Sequence, residues 1–388
     1  MPARASLSAF LATARSALAA SASKKQTLTF VVGNESADLD SLCSALLFAY
    51  LRTYGSPQTL HIPLCHLPRD DLTLRPEFTE VLRRAATSPD DVITLDDLPE
   101  LDATNTQWLL VDHNCLTGHL ELFNKQVVGC VDHHTDEGKV PQESEVRLIE
   151  KSGSCMSLVV THCREAWEKL KDADKATEID AQLAHLAVGP ILIDTQKLGD
   201  KNKTTSFDED AVQYLETKLP SATGYDRTNF FSDVAKLKGD ISPLSMRDIL
   251  RKDYKEWDDS GVKLGTSSVP AHFGYLTEKA GSSDALLDGI KRWGTEKDLD
   301  LVTVLTAFTN EASFHRELLL FARTEKGVAT AKAFEKDYTE KLQLSPWSSG
   351  KLDLDEQSQW LRCWTQGRVE NSRKQVAPML REAMKAKI

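Results

Sequence analysis

Apolar residues along this chain fall into two kinds of run, and their alternation is the first structural information it carries. Short blocks rich in Val, Ile, Leu and aromatic residues predict strands at 27–32, 58–62, 108–111 and 127–131. Apolar positions recur every three or four residues over 41–54, 154–170 and 181–193, which predicts helices. Strand, loop and helix repeating at crossover length is the pattern of a mainly parallel sheet with helices on both faces. A Gly and a Pro interrupt it in Lys238-Gly239-Asp240-Ile241-Ser242-Pro243, where a linker is expected, with Gly239 as the hinge. Beyond it, strands are predicted at 262–268, 301–306, 317–321 and 360–364, and helices at 282–293, 329–342 and 373–385. The expectation is an α/β protein of two domains: 1–240 with the larger, mainly parallel sheet, and 241–388 with a smaller α/β fold. The active site is expected in the cleft between them.

A length of 388 residues suits two cores. The segment to Ser23 is rich in Ala and Ser, carries Arg4 and Arg15, and has no acidic residue. It reads either as a mitochondrial transit sequence or as an amphipathic helix through Leu7, Phe10, Leu11 and Leu18. Seven cysteines without any Cys-x-x-Cys spacing imply reduced, buried thiols, and the expected location is the cytoplasm, with the mitochondrion as the alternative. The best apolar run, 186–193, is far shorter than the ~20 residues of a membrane span, so no membrane association is expected. A net charge of −11 argues against broad nucleic-acid binding, which rests on a basic face. Any polyanionic substrate must then meet local positive charge or metal ions.

The candidate chemistry sits where apolar runs end. Gly33-Asn34-Glu35-Ser36-Ala37-Asp38-Leu39-Asp40 joins the first strand to a helix, and its two aspartates could each reach one ion of a pair or simply cap the helix. Leu109-Leu110-Val111-Asp112, Val131-Asp132-His133-His134 and Ile191-Leu192-Ile193-Asp194 each deliver a carboxylate to the end where open α/β sheets bind ligands. Four such deliveries are hard to attribute to capping. Carboxylates with few imidazoles suit Mn2+ or Mg2+, and two such ions would suit hydrolysis at phosphorus without a covalent intermediate. Asp132 could orient a histidine ring as a supporting hydrogen-bond partner. Ser152, Gly153 and Ser154 form a small-residue turn ahead of a helix, suited equally to phosphate or to capping. Arg373 and Lys374 open the last helix, where cations and unpaired N–H groups could grip a phosphate together.

These segments resemble the DHH phosphoesterase family, in the branch that holds exopolyphosphatases, manganese-dependent inorganic pyrophosphatases and prune-like proteins, with fungal-type cytosolic exopolyphosphatases the nearest likeness. The resemblance extends to Lys151-Ser152-Gly153-Ser154-Cys155, Leu250 to Lys255, Ser313 to Leu318 and Ser372 to Pro378. It implies that Asp38 serves one metal, that Asp40 and His133 serve the other, and that Asp112 and Asp194 touch or bridge both. It also implies that His134 faces the substrate phosphate, and that Lys255, His315, Arg316, Arg373 and Lys374 bind substrate. Pyrophosphatases of the branch have a histidine ligand where this chain has Asn34, which is read here as a weak ligand or substrate contact. The expected activity is release of orthophosphate from linear inorganic polyphosphate by a monomer, with pyrophosphate or nucleotide hydrolysis, or a prune-like interaction role, as alternatives.

Overall fold

The computed structural model describes all residues except 1–3, 22–26, 56–58, 171–175, 311–312, 357–358 and 386–388. It divides into two compact units, Met1–Asp240 and Ile241–Ile388. The first unit holds a five-stranded sheet of β1 (Leu28–Val32), β2 (His61–Leu64), β3 (Thr106–Val111), β4 (Val127–Asp132) and β5 (Val146–Ile149). The strands run parallel throughout, in the order β2-β1-β3-β4-β5. Its helices are α1 (Leu7–Ser21), α2 (Leu39–Tyr54), α3 (Pro76–Arg84), α4 (Cys155–Lys169), α5 (Ala176–Asp194), α6 (Ser206–Thr217) and α7 (Arg227–Gly239).

The strands read as continuous apolar runs because both faces of the sheet are buried. Val31, Leu109, Val111 and Val131 point into a core shared with α2, α4 and α5. Phe30, Val32, Trp108 and Leu110 point the other way, where 3-10 segments including Gly118–Gln126 and the end of α1 cover them. There Phe30 stacks on Trp108 at 4.6 Å and Trp108 on Phe123 at 4.9 Å. Helix α1 is built into the unit: Leu7, Phe10 and Leu11 are fully buried, and Arg4 pairs with Asp180 at 2.6 Å. The strand expected at 58–62 runs over His61–Leu64, and Gln58 lies outside the described residues. Pairing of β1 with β2 on one side and β3 on the other makes the ends of β1 and β3 the topological switch point, where such sheets bind ligands.

The second unit comprises α8 (Met246–Lys252), β6 (Tyr254–Asp259), β7 (Val262–Val269), α9 (Phe273–Ala280), α10 (Ser283–Glu296), β8 (Leu301–Thr306), β9 (Phe308–Asn310), β10 (Ser313–Ala322), α11 (Glu325–Leu342), β11 (Leu344–Pro346), β12 (Leu354–Asp355), β13 (Trp360–Gln366) and α12 (Arg373–Met384). Its sheet runs β11-β13-β10-β8-β7-β6, with β9 on β10 and β12 on β13. Among the described residues, only β7 and β8 pair in parallel within it. Helices α11 and α12 cover one face, and α8, α9 and α10 the other. Gly239, expected as a hinge, is the last residue of α7. Among the described residues, no helix is long and apolar enough to cross a membrane. The cysteines are free, and all but Cys115 are buried.

Candidate metal centre

Asn34, at the end of β1, and Asp112, just past β3, meet at the switch point. The Asn34 amide nitrogen donates to Asp112 Oδ2 at 2.8 Å and to the Asp112 carbonyl at 3.1 Å, while its amide oxygen accepts from Ser36 N at 2.9 Å. Two acceptors on one side and a backbone donor on the other fix the orientation of the amide. Asn34 is buried, and its amide nitrogen braces Asp112. Ser41 Oγ adds a 2.6 Å bond to the same Oδ2. Asp112 takes a left-handed backbone, φ 61°, as does Ala37 at 43°. Such residues cost roughly 1–2 kcal/mol each and persist where surrounding contacts demand them.

The other oxygen of Asp112, Oδ1, faces the histidines. It lies 3.1 Å from His133 Nε2 and 3.6 Å from His134 Nδ1, and Asp112, His133 and His134 are the described residues whose ligand atoms cluster closely enough to hold an ion. The tautomers follow from the remaining bonds. His133 Nδ1 is 3.1 Å from the Ser152 carbonyl, which only accepts, so Nδ1 carries a proton and Nε2 is the ring nitrogen turned toward the Asp112 oxygen. A proton on Nε2, or a metal ion in its place, joins the two atoms. His134 Nδ1 instead donates to Asp132 Oδ1 at 2.8 Å, which directs Nε2 of the partly exposed ring away from that carboxylate. Asp132, fully buried, also accepts from the backbone of both histidines and from Asn114 Nδ2 at 2.6 Å. Burial works to raise its pKa, yet the hydrogen bond and charge of His134, with help from Asn114, hold it below the ordinary carboxylate value.

Asp38 caps α2 by accepting from Ser41 N at 3.1 Å through one oxygen. Capping and ligation are therefore compatible at Asp38, since one carboxylate has several lone pairs. Burial foremost, then the carboxylates of Asp112 and Asp194, push the Asp40 carboxyl well above its usual range. Asp194, at the last residue of α5, is pushed up to about 6 by burial, with Asp38 and Asp112 adding to the rise and Lys238 and His133 opposing it. Carboxylates that raise one another in this way form a site short of positive charge, and hard divalent ions fit such a donor set. Lys238, on the last turn of α7, is a nearby cation that the sequence pattern did not single out.

The donors of the Ser152-Gly153-Ser154 turn are largely taken up by the chain itself. Ser154 is fully buried, and its hydroxyl donates to Asp40 Oδ1 at 2.9 Å; Cys155 N and Met156 N donate to the same carboxylate at 2.7 and 2.9 Å. Gly153 N and Ser154 N donate to Asp208 at 2.9 and 3.2 Å. The donors at the start of α4 thus serve two carboxylates of the chain itself, so Ser154 holds Asp40 in place of substrate. Ser152 donates its hydroxyl to the Ser154 carbonyl at 2.7 Å and offers its own carbonyl to His133. Asp208 escaped notice in the sequence, although Thr205-x-x-Asp208 is a recognisable capping pattern at the start of α6.

Within the second unit, the loop from β13 to α12 gathers several of the expected basic residues. Arg316 Nε donates to the Val369 carbonyl at 2.7 Å, and its guanidinium lies 5.0 Å from the centre of the exposed Phe314 ring. Arg373, the first residue of α12, binds Asp253 through its carbonyl at 2.9 Å and its carboxylate at 2.7 Å. Asp253 directly precedes β6, which carries Lys255, so Arg373 is tied to the base of that strand. His315 stacks on Phe308 at 5.5 Å, and Lys374 sits exposed in the first turn of α12, capped by Ser372.

Residues 29–191 match the DHH family N-terminal domain, and residues 232–383 match the DHHA2 domain. A Schizosaccharomyces pombe protein named "Putative exopolyphosphatase" is 34% identical over 374 residues, 95% of this chain and 94% of that protein. "Exopolyphosphatase PRUNE1" of Homo sapiens is 27% identical over 94% of this chain and 77% of its own length. A manganese-dependent inorganic pyrophosphatase of Methanothrix thermoacetophila is 25% identical over 80% of this chain and 88% of its own. Among solved structures, a family II inorganic pyrophosphatase fold from Methanococcus jannaschii superposes with a TM-score of 0.60 at 19% identity, covering 92% of this chain and 99% of that one. With its paired domains and its carboxylate and histidine site, the chain belongs to the DHH phosphoesterase family and is a hydrolase.

Proposed function

We propose that this hydrolase is an exopolyphosphatase that releases orthophosphate from the end of linear inorganic polyphosphate with two divalent ions, Mn2+ or Mg2+. The observation that carries the metal-dependent part is the convergence of ligand atoms of Asp112, His133 and His134 in one cluster, beside the buried carboxylates of Asp40 and Asp194, whose pKa values burial and neighbouring carboxylates raise. The S. pombe and PRUNE1 relatives, both named as exopolyphosphatases, support polyphosphate as the substrate. In this reading Asp38, Asp40, Asp112, His133 and Asp194 hold the ions. Bound divalent ions neutralise charge developing on the phosphoryl group and make water a better nucleophile. Asp132 accepts from His134 Nδ1 and favours the imidazolium, whose Nε2–H can then donate to a phosphate oxygen. Lys255, His315, Arg316, Arg373 and Lys374 are the proposed phosphate contacts of the second unit, and they would offset the acidity of the whole chain. Asn34 donates its amide N–H to Asp112, and its amide oxygen, bonded to Ser36 N, is at most a weak ligand where the pyrophosphatases of the branch use a histidine.

A substrate panel tests the proposal. The protein is incubated with long-chain polyphosphate, tripolyphosphate, pyrophosphate and a cyclic nucleotide under Mn2+ or Mg2+, and again after chelation. Orthophosphate from the long chain and from tripolyphosphate, lost on chelation, is the expected result. Activity confined to pyrophosphate or to the nucleotide would sink it.

A further inference from the structure

The backbone that leaves Asp194 takes an unusual course. Gln196, Lys197 and Leu198 have φ of 51°, 60° and 66°, three successive non-glycine residues in the left-handed region. L-residues enter that region singly as a rule, because Cβ crowds the following carbonyl oxygen, so a run of three needs contacts that over-determine it. Thr195 supplies them. It is fully buried, donates Oγ1 to the Ile191 carbonyl at 2.6 Å and accepts Leu198 N at 3.0 Å. Lys197 N reaches the Leu192 carbonyl at 2.7 Å, and Asp200 N reaches the Thr195 carbonyl at 3.0 Å. The turn thereby satisfies carbonyls at the end of α5 and closes the helix directly after Asp194.

The methyl of Thr195 faces Gly153. A Cβ built on Gly153 would lie 2.6 Å from Thr195 Cγ2 and 2.9 Å from Asp208 Oδ2, so only glycine admits both neighbours. Asp208 grips the same turn from its other side. Its carboxylate accepts Gly153 N at 2.9 Å, Ser154 N at 3.2 Å and Ser157 Oγ at 2.6 Å, while also capping α6 through Thr205. The turn in question is the one whose Ser154, Cys155 and Met156 hold Asp40. The segment 195–208 therefore departs from Asp194 and closes on the support of Asp40, touching that support at both of its ends.

We propose that Thr195 and Asp208 are positioning residues that set the spacing between the carboxylates of Asp194 and Asp40. The inference rests on the reading of those two aspartates as metal ligands. Thr195 holds the strained turn by its hydroxyl and abuts Gly153 by its methyl; Asp208 locks Gly153 from the opposite side. The strain is a consequence of this arrangement and not its cause. Relieving it with Gln196→Gly should leave metal binding unchanged, because glycine adopts the same backbone without penalty.

The test is calorimetric Mn2+ binding to the full chain without substrate, together with the melting temperature of the metal-free protein and kcat and KM on tripolyphosphate. Thr195→Val keeps the shape and loses the hydroxyl. It is expected to weaken Mn2+ binding by about tenfold or more, the scale seen for residues that support ligands, and to lower kcat more than it changes KM. Thr195→Ser, which restores the hydroxyl, should recover most of the affinity, and Gln196→Gly should match the parent. Wild-type Mn2+ affinity in folded Thr195→Val overturns the proposal, provided Asp194→Asn loses affinity. If Asp194→Asn also binds Mn2+ like the parent, the metal reading itself fails. Where Thr195→Val does not fold, Asp208→Asn decides: it replaces an acceptor by an amide against Gly153 N, and unchanged affinity in that variant overturns the proposal.

Discussion

At the scale of single residues, Asp194 sets how the site responds to pH. Its carboxyl is pushed up to about 6, by burial first and by Asp38 and Asp112, against Lys238 and His133. A carboxyl raised in the folded state keeps its proton there at pH values where the unfolded chain has already released it. The Asp194 contribution to stability therefore falls as pH rises, over the interval from the ordinary carboxylate value near 3.8 to about 6, and levels off above it. An ion competes with that proton, so divalent affinity should rise through the same interval. Melting curves of the metal-free protein between pH 4 and 7 check this: the downward trend should be smaller in Asp194→Asn and should vanish in saturating Mn2+. A slope that persists unchanged in Asp194→Asn assigns it elsewhere. Residue types at the site were legible in the sequence, because apolar runs that end in aspartate place their carboxylates at strand or helix ends. Orientation was not. Nothing in the letters says that the Asn34 amide donates to Asp112, or that the Ser154 hydroxyl points at Asp40, since both depend on contacts between segments far apart in the chain.

At the scale of elements, the first helix gives a measurable case. Phe10 is fully buried and meets Tyr50 edge-on at 5.3 Å, with the Tyr50 hydroxyl donating to the Ala5 carbonyl at 2.6 Å. Phe10→Ala should cost roughly 3–5 kcal/mol in the chemical denaturation of the first unit, as large-to-small changes in packed cores do. A loss below about 1 kcal/mol, the scale of a surface substitution, would mean that α1 is not part of that core. The apolar spacing of Leu7, Phe10, Leu11 and Leu18 was enough to read this helix. The buried strands β1, β3, β4, β8 and β13 were equally legible, because burial on both faces leaves uninterrupted apolar runs. Strands β5, β6, β9, β11 and β12 were missed. The sequence of β6, Tyr254-Lys255-Glu256-Trp257-Asp258-Asp259, carries four charges on an edge strand, where charge discourages unwanted pairing and hides the strand pattern. Helix α7 was missed for a related reason: of its residues only Phe230 and Val234 are buried, too few to mark an apolar face.

At the scale of the whole molecule, the sequence implied two domains with divided labour, and the division reaches the chemistry. The acidic cluster lies in the first unit, and the basic residues proposed to hold phosphate lie in the second. With a net charge of −11, local basic residues would be needed to hold a polyanionic substrate such as the proposed polyphosphate. The DHH and DHHA2 matches follow the same order along the chain. What the sequence left open is the substrate, since relatives named as exopolyphosphatase and as manganese-dependent pyrophosphatase both match most of this chain. The most direct measurement follows product lengths over time from long-chain polyphosphate with Mn2+, for the parent protein and for His133→Ala side by side. Orthophosphate released from chain ends by the parent, and almost none by a folded His133→Ala, is the expected result. Internal scission of the chain, or undiminished hydrolysis by His133→Ala, would contradict it.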